Sequence, residues 1–238
     1  MIDVTIKTEG VGWYSDKQVA RLAVARQRRN DQALKDALTE IYQTDVKTAA
    51  NKLIRKAAVR VGITTAVSQS EHIDTLFVLV YDLKLIKDIV YLYGYRPSDT
   101  KMVKIYKTVI SNALIAYGLS TGTTSLGKTF GSGIVSMIDK ASNSMNPLTS
   151  TFGSVVGGIA GTALESSLQF IVNSTFTTLI GYQTKKYLSK EYNLQDILDN
   201  VELVETPDEQ VKMIESIKDE VRENLVKKHK KEKIKPAT

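Results

Sequence analysis

Three groups of residues have the types and spacing that chemistry requires. Gly122-Thr123-Thr124-Ser125-Leu126-Gly127-Lys128-Thr129 matches the pattern GxxxxGK[ST]. In a nucleotide-binding loop of that form, backbone amides and the lysine cradle phosphates, and the last hydroxyl holds magnesium. The loop needs a buried strand before it and a helix after it. Ala113 to Leu119 could supply the strand, but no later apolar run ends in an aspartate to hold magnesium. Phe77 to Asp82 has that form, yet it precedes the loop and lies in a helical pattern. The segment therefore reads as a Gly/Thr linker. A P-loop nucleotide-binding enzyme is the alternative, in which Lys128→Ala would abolish magnesium-dependent nucleotide binding.

Asp74, Asp82 and Asp88 form the second group. Asp82 and Asp88 are six residues apart and fall on different faces of a helix, so they cannot work as one acid–base pair. Pairing with lysine or with a helix end is the expectation. Glu165, Gln169 and Asn173, each four residues apart, form the third group. Inside a bilayer an isolated carboxylate is costly and usually functional. In a helical bundle the same residues form a polar seam, which is the reading adopted. A membrane-perturbing or pore-forming protein with this stripe facing water is the alternative.

Little else could carry a reaction. The absence of cysteine excludes disulfides, thiolate metal sites and a cysteine nucleophile. The two histidines, His72 and His229, are far apart. No catalytic residue, metal or cofactor is expected, and the chain reads as non-enzymatic.

The elements that position these residues are helices. From Gly153 to Gly181 every fourth residue is small or polar: Gly153, Gly157, Gly161, Glu165, Gln169, Asn173, Thr177 and Gly181. Gly158 belongs to a second ladder beside it. Residues four apart lie nearly above one another on a helix, so Gly153, Gly157, Gly158 and Gly161 invite close helix packing or self-assembly. Ala141 to Leu164 and Ser166 to Thr184 carry no charge, and neither does Thr108 to Gly127. About twenty such residues could span a bilayer, although these are rich in hydroxyl and amide groups.

Helical periodicity marks the rest. A run from Ser15 is broken at Asn30-Asp31. A second uses Leu34, Leu38 and Ile41, and Thr44-Asp45 caps a third over Val46 to Val61. Ser70 to Tyr93 is apolar on two sides, with a narrow wet stripe of Lys84, Lys87 and Asp88. Gly94 stands at its C′ position and Pro97 forbids continuation. Another helix covers 101–118, and ladder helices run from about Thr149 to Ser189. Thr206-Pro207-Asp208-Glu209 starts a final helix with the capping-box pattern.

The net charge is +6. Basic residues cluster at 21–29, at Lys47, Lys52, Arg55, Lys56 and Arg60, and in a lysine-rich tail. Such clusters attract acidic lipid. No aromatic interleaving or recognition-helix pattern supports specific nucleic-acid binding. Met1 to Trp13 lacks an apolar signal-peptide core, so the cytoplasmic side is expected, at or in the inner membrane.

Asp74, Asp82 and the segment Leu83 to Gly94, with Leu85, Ile86, Asp88, Ile89, Leu92 and Tyr93, resemble the YcjF-like family of unknown function. Its members carry an aspartate and then a segment of the form LxLIxDIxxLYG. The resemblance covers about residues 65–190, and the 83–94 segment is its specific motif. It implies a bacterial inner-membrane protein whose related domains occur beside GTPases, and so a GTPase partner. It supplies no catalytic residues.

The expectation is thus an all-α bundle with long glycine-ladder helices, associated with a membrane. It comprises a basic N-terminal helical segment (1–64), a YcjF-like helical domain (65–192) and a C-terminal accessory helix with its lysine tail (193–238). Its function is to bind acidic membrane lipid, a GTPase or further copies of itself.

Overall fold

The computed structural model describes residues 16–67, 71–116, 169–198 and 201–234, which form helices with no strand among them. The glycines at 153, 157, 158 and 161, Glu165 and the 122–129 motif lie outside the described residues. In chain order the helices are α1 (Asp16–Gln27), α2 (Asp31–Ile41), α3 (Lys47–Val67), α4 (Glu71–Leu92), α5 (Asp99–Ala116), α6 (Gln169–Glu191), the single turn α7 (Leu194–Ile197) and α8 (Pro207–Ile234).

The ends of these helices follow local chemistry. Asn30 caps α2 by accepting from the Ala33 amide at 2.9 Å. α4 closes in a Schellman motif: Gly94 N–H donates to the Tyr91 carbonyl and Tyr95 N–H to the Val90 carbonyl. Gly94 sits at φ 82°, where a Cβ would be strained. At the start of α8, Glu209 accepts from the Thr206 amide at 2.8 Å, and the Glu209 amide donates back to the Thr206 hydroxyl.

One junction differs from the sequence reading. No cap breaks the chain at Thr44-Asp45. A π-helical turn, Tyr42–Val46, joins α2 to α3 without interruption. The Thr44 hydroxyl donates back to the Glu40 carbonyl at 2.6 Å rather than capping a new helix. The wider turn shifts the register, so Leu38 and Ile41 before it, Tyr42 and Val46 within it and Ala50 after it are all buried. The boundary drawn at 64/65 falls inside α3.

α6 is the central helix. It packs most extensively on α3, then on α4 and α5, and on α8. Nearly all its residues from Ile171 to Ser189 are buried, although many are Ser and Thr. Several hydroxyls are satisfied within the helix: Ser174 donates to the Ile171 carbonyl, Thr178 to Ser174 and Thr184 to Ile180. The small side chains permit close approach. A Cβ on Gly181 would lie 2.7 Å from Ile54 Cδ1 and closer still to Cγ1, and Ile54 is fully buried in α3. The last rung of the ladder thus packs inside the bundle. We expect Gly181→Ala to cost about 1–3 kcal/mol through overpacking, with Ile54→Val recovering part of it. Denaturant melts of the two single variants and the double variant measure this; additive losses would count against a shared contact.

Candidate functional site

α4 carries the residues singled out by sequence. Asp88 pairs with Lys84 at 2.6 Å, one turn away. Tyr93 is fully buried at the foot of the bundle. Its ring meets that of Tyr42 edge-on at 6.0 Å, and its carbonyl accepts from the Tyr42 hydroxyl at 2.8 Å. Tyr95 stacks on Tyr192 beside them, with ring centroids 3.6 Å apart. Asp74 lies in the first turns of α4. The wet stripe of α4 is broader than expected: Phe77, Val80 and Tyr91 are exposed as well as Lys84 and Lys87. Among the described residues no helix covers that face, so apolar periodicity alone misjudged it.

Asp82 departs furthest from expectation. It is 1% exposed, and neither carboxylate oxygen has a hydrogen-bond partner among the described residues. The Thr177 hydroxyl of α6 favours the charged form slightly but lies outside hydrogen-bond geometry. Burial dominates and pushes the carboxyl up to about 8. Asp82 is therefore a neutral acid in the core across much of the physiological range. Of the polar seam, Asn173 is buried in α6, Gln169 is its first residue, and Glu165 lies outside the described residues.

A second buried polar cluster was not anticipated. Lys185 of α6 is fully buried. Its Nζ donates to both carboxylate oxygens of Glu205 at 2.6 Å and to Asn51 Oδ1 of α3 at 3.0 Å. Asn51 Nδ2 donates to Glu205 at 2.9 Å, and Gln210 holds the Glu205 carbonyl. Burial lowers the Lys185 ammonium to about 8 despite the attraction of Glu205. The cluster ties α6 to α3 and to the segment entering α8. The only sequence signal was a charge ending the uncharged run 166–184.

The ends of the bundle differ in character. Gly62 of α3 meets Ser174 of α6 and Val221 of α8, and Phe170 packs with Ala58, Val59 and Ile63 of α3 and Leu225 of α8. Six residues separate α5 from α4, and Tyr106 of α5, two turns on, lies beside Asp88 and Tyr91, so α5 turns back along α4. Hence the chain leaves α5 at Ala116 and re-enters α6 at Gln169 at one end, opposite the tyrosine foot. Ile115 near the end of α5 and Val226 of α8 are exposed, as are Phe77 in the first half of α4 and Val80 at its middle. Residues 117–168, which link α5 to α6, contain four charges in 52 residues: Lys128, Asp139, Lys140 and Glu165.

Among the described residues no helix is long and apolar enough to cross a membrane, and no three potential ligands gather to hold a metal.

The family model for a domain of unknown function, DUF697, matches residues 29–205. The chain is similar to a UPF0283 membrane protein of Bradyrhizobium diazoefficiens, 35% identical over 91 residues, which are 38% of this chain and 26% of that protein. It is also similar to a UPF0283 membrane protein of Rhodopseudomonas palustris, 35% identical over 89 residues, 37% of this chain and 24% of that protein. A third, from Rhizobium rhizogenes, is 31% identical over 90 residues, 38% of this chain and 25% of the relative. The matched region spans about a quarter of the length of these curated relatives. No solved structure matches.

Proposed function

The chain belongs to the DUF697 family, and on that premise we propose that it is a non-enzymatic helical interaction module held at the cytoplasmic face of a bacterial membrane. One observation carries the reading. The nearly uncharged 117–168 segment links α5 to α6, and Phe77, Val80 and Ile115 stand exposed on α4 and α5. Exposed apolar side chains on the helix next to a nearly uncharged segment favour a less polar phase than water. The basic outer face of α3 favours the acidic surface of such a phase. The curated relatives' designation as membrane proteins agrees.

Two protein partners belong to the same reading. Gly153, Gly157, Gly158 and Gly161 would join copies of the chain by close helix packing. The YcjF-like segment Leu83 to Gly94 suggests a GTPase. We expect Gly157→Leu to lower the oligomer mass in sedimentation; an unchanged mass would remove self-assembly.

Membrane association is tested by expressing the intact protein in a bacterium and washing the membranes with high salt and then with carbonate. A membrane pool that survives the salt wash is expected, because burial of Phe77, Val80 and Ile115 is insensitive to screening. A protein found wholly in the soluble fraction would overturn the reading.

A further inference from the structure

A groove of 540 Å³ runs between α3 and α8, floored by Val59 and Ile63. Its α3 wall carries Lys52, Lys56 and Arg60. These are spaced at i, i+4 and i+8, so three cations line up over about 12 Å. All three are exposed, and none forms an ion pair with a described carboxylate. Arg60 lies over the Tyr81 ring, 5.8 Å from its centroid, which steadies the guanidinium without neutralising it.

The acidic residue in the groove is already engaged. Glu220 of α8 accepts from Arg55 at 2.6 Å, and Arg55 also donates to Ser216. That pair joins the two helices and leaves three positive charges for an external anion. The volume falls within the range of small-ligand clefts. A row of cations above an apolar floor suits a ligand that is anionic at one part and apolar at the next. The groove rises toward Ile63 and Thr64, at the end of the bundle that receives the 117–168 segment.

We infer that the α3–α8 groove is a site for the phosphate-bearing headgroup of an anionic membrane lipid, with Lys52, Lys56 and Arg60 on the phosphate and Val59 and Ile63 under the first apolar part of the lipid. The inference rests on the membrane reading above and assigns it a lipid class and a site. An acidic protein segment would meet the same cations. The apolar floor and the position beside the membrane-facing end favour the lipid.

Co-sedimentation of the intact protein with phosphatidylcholine vesicles, with and without phosphatidylglycerol, tests the site. The wild-type chain is expected to prefer the anionic vesicles. The triple variant Lys52→Glu/Lys56→Glu/Arg60→Glu is expected to lose that preference by about tenfold or more while keeping its binding to neutral vesicles. The Arg55–Glu220 pair is left untouched, and helical circular dichroism checks folding. If the charge-reversed protein does not fold, the glutamine triple variant replaces it with the same expectation. A folded variant that keeps the full preference overturns the groove and leaves the membrane reading standing. A wild-type protein that binds neither vesicle overturns both. Capture of poly-glutamate with no preference for anionic vesicles overturns the lipid assignment in favour of an acidic protein partner.

Discussion

At pH 7, Asp82→Asn is expected to be more stable than the wild-type chain by on the order of 4 kcal/mol. The substitution preserves shape and removes the ionisation; its amide buries one more hydrogen-bond donor than the protonated acid, a cost that does not vary with pH. In the folded state the carboxyl holds its proton up to about 8, against an ordinary value of 3.8, because it is buried without a partner. Between those two values the native chain binds a proton that the unfolded chain releases. The wild-type protein is therefore most stable at the acid end of this window, and its stability falls as pH rises toward 8. Asparagine has no such linkage, so the stability of Asp82→Asn relative to the wild-type chain is lowest near pH 4 and rises above it. Urea denaturation at pH 4, 6 and 8 measures the gap. A gap that stays constant with pH would show that Asp82 has a partner in solution or is not buried.

Such a cost in the core calls for an account. A neutral carboxyl at the α4–α6 contact is stable only while water is kept out. Val78, Leu85 and Ile86, about one turn from Asp82 on α4, and Thr177 and Thr178 of α6 are buried, which maintains that exclusion. The α4–α6 contact therefore loses stability as pH rises from about 4 toward 8.

Lys185→Met has the second large expected effect, a loss of about 3–5 kcal/mol. The methionine fits the space of the lysine stem, but it leaves Glu205 buried with one side-chain donor, Asn51 Nδ2. An uncompensated buried charge is far more costly than a complete pair is beneficial. The double variant Lys185→Met/Glu205→Gln is therefore expected to recover much of the loss, since glutamine carries no charge and can still accept from Asn51. A double-mutant cycle by chemical denaturation reads the coupling. Additive losses would mean that the two residues do not act as a pair. The cycle also separates this cluster from Asp82: the first responds to loss of a partner, the second to loss of a charge.

Much of the architecture was legible in the sequence. The apolar run of α4, its stop at Gly94 and the capping box of α8 are encoded within one turn of chain. Hydrogen bonds three to five residues apart decide such ends, whatever the rest of the protein does. The clustering of Lys52, Lys56 and Arg60 on α3 was visible for the same reason. The all-helical character followed from periodicity, scarce proline and cap residues together.

What escaped the sequence depends on neighbours far along the chain. Thr44 was as good a cap by type as Thr206, yet continuous burial of Ile41, Tyr42 and Val46 drew the chain through a π turn instead. Val80 belonged to an apolar stripe, and it is exposed because no described helix crosses that part of α4. Asp82 and Lys185 looked alike as charges within helices. One lies opposite a threonine and the other meets Glu205 and Asn51, so one becomes a neutral acid and the other an ion pair. The groove beside α3 exists only because α8, more than 150 residues later, lies along it. Local hydrogen bonding and period are short-range and readable in sequence. The cost of burying a charge, and the cleft that leaves others exposed, are set by which helices pack together, and only the tertiary structure decided that.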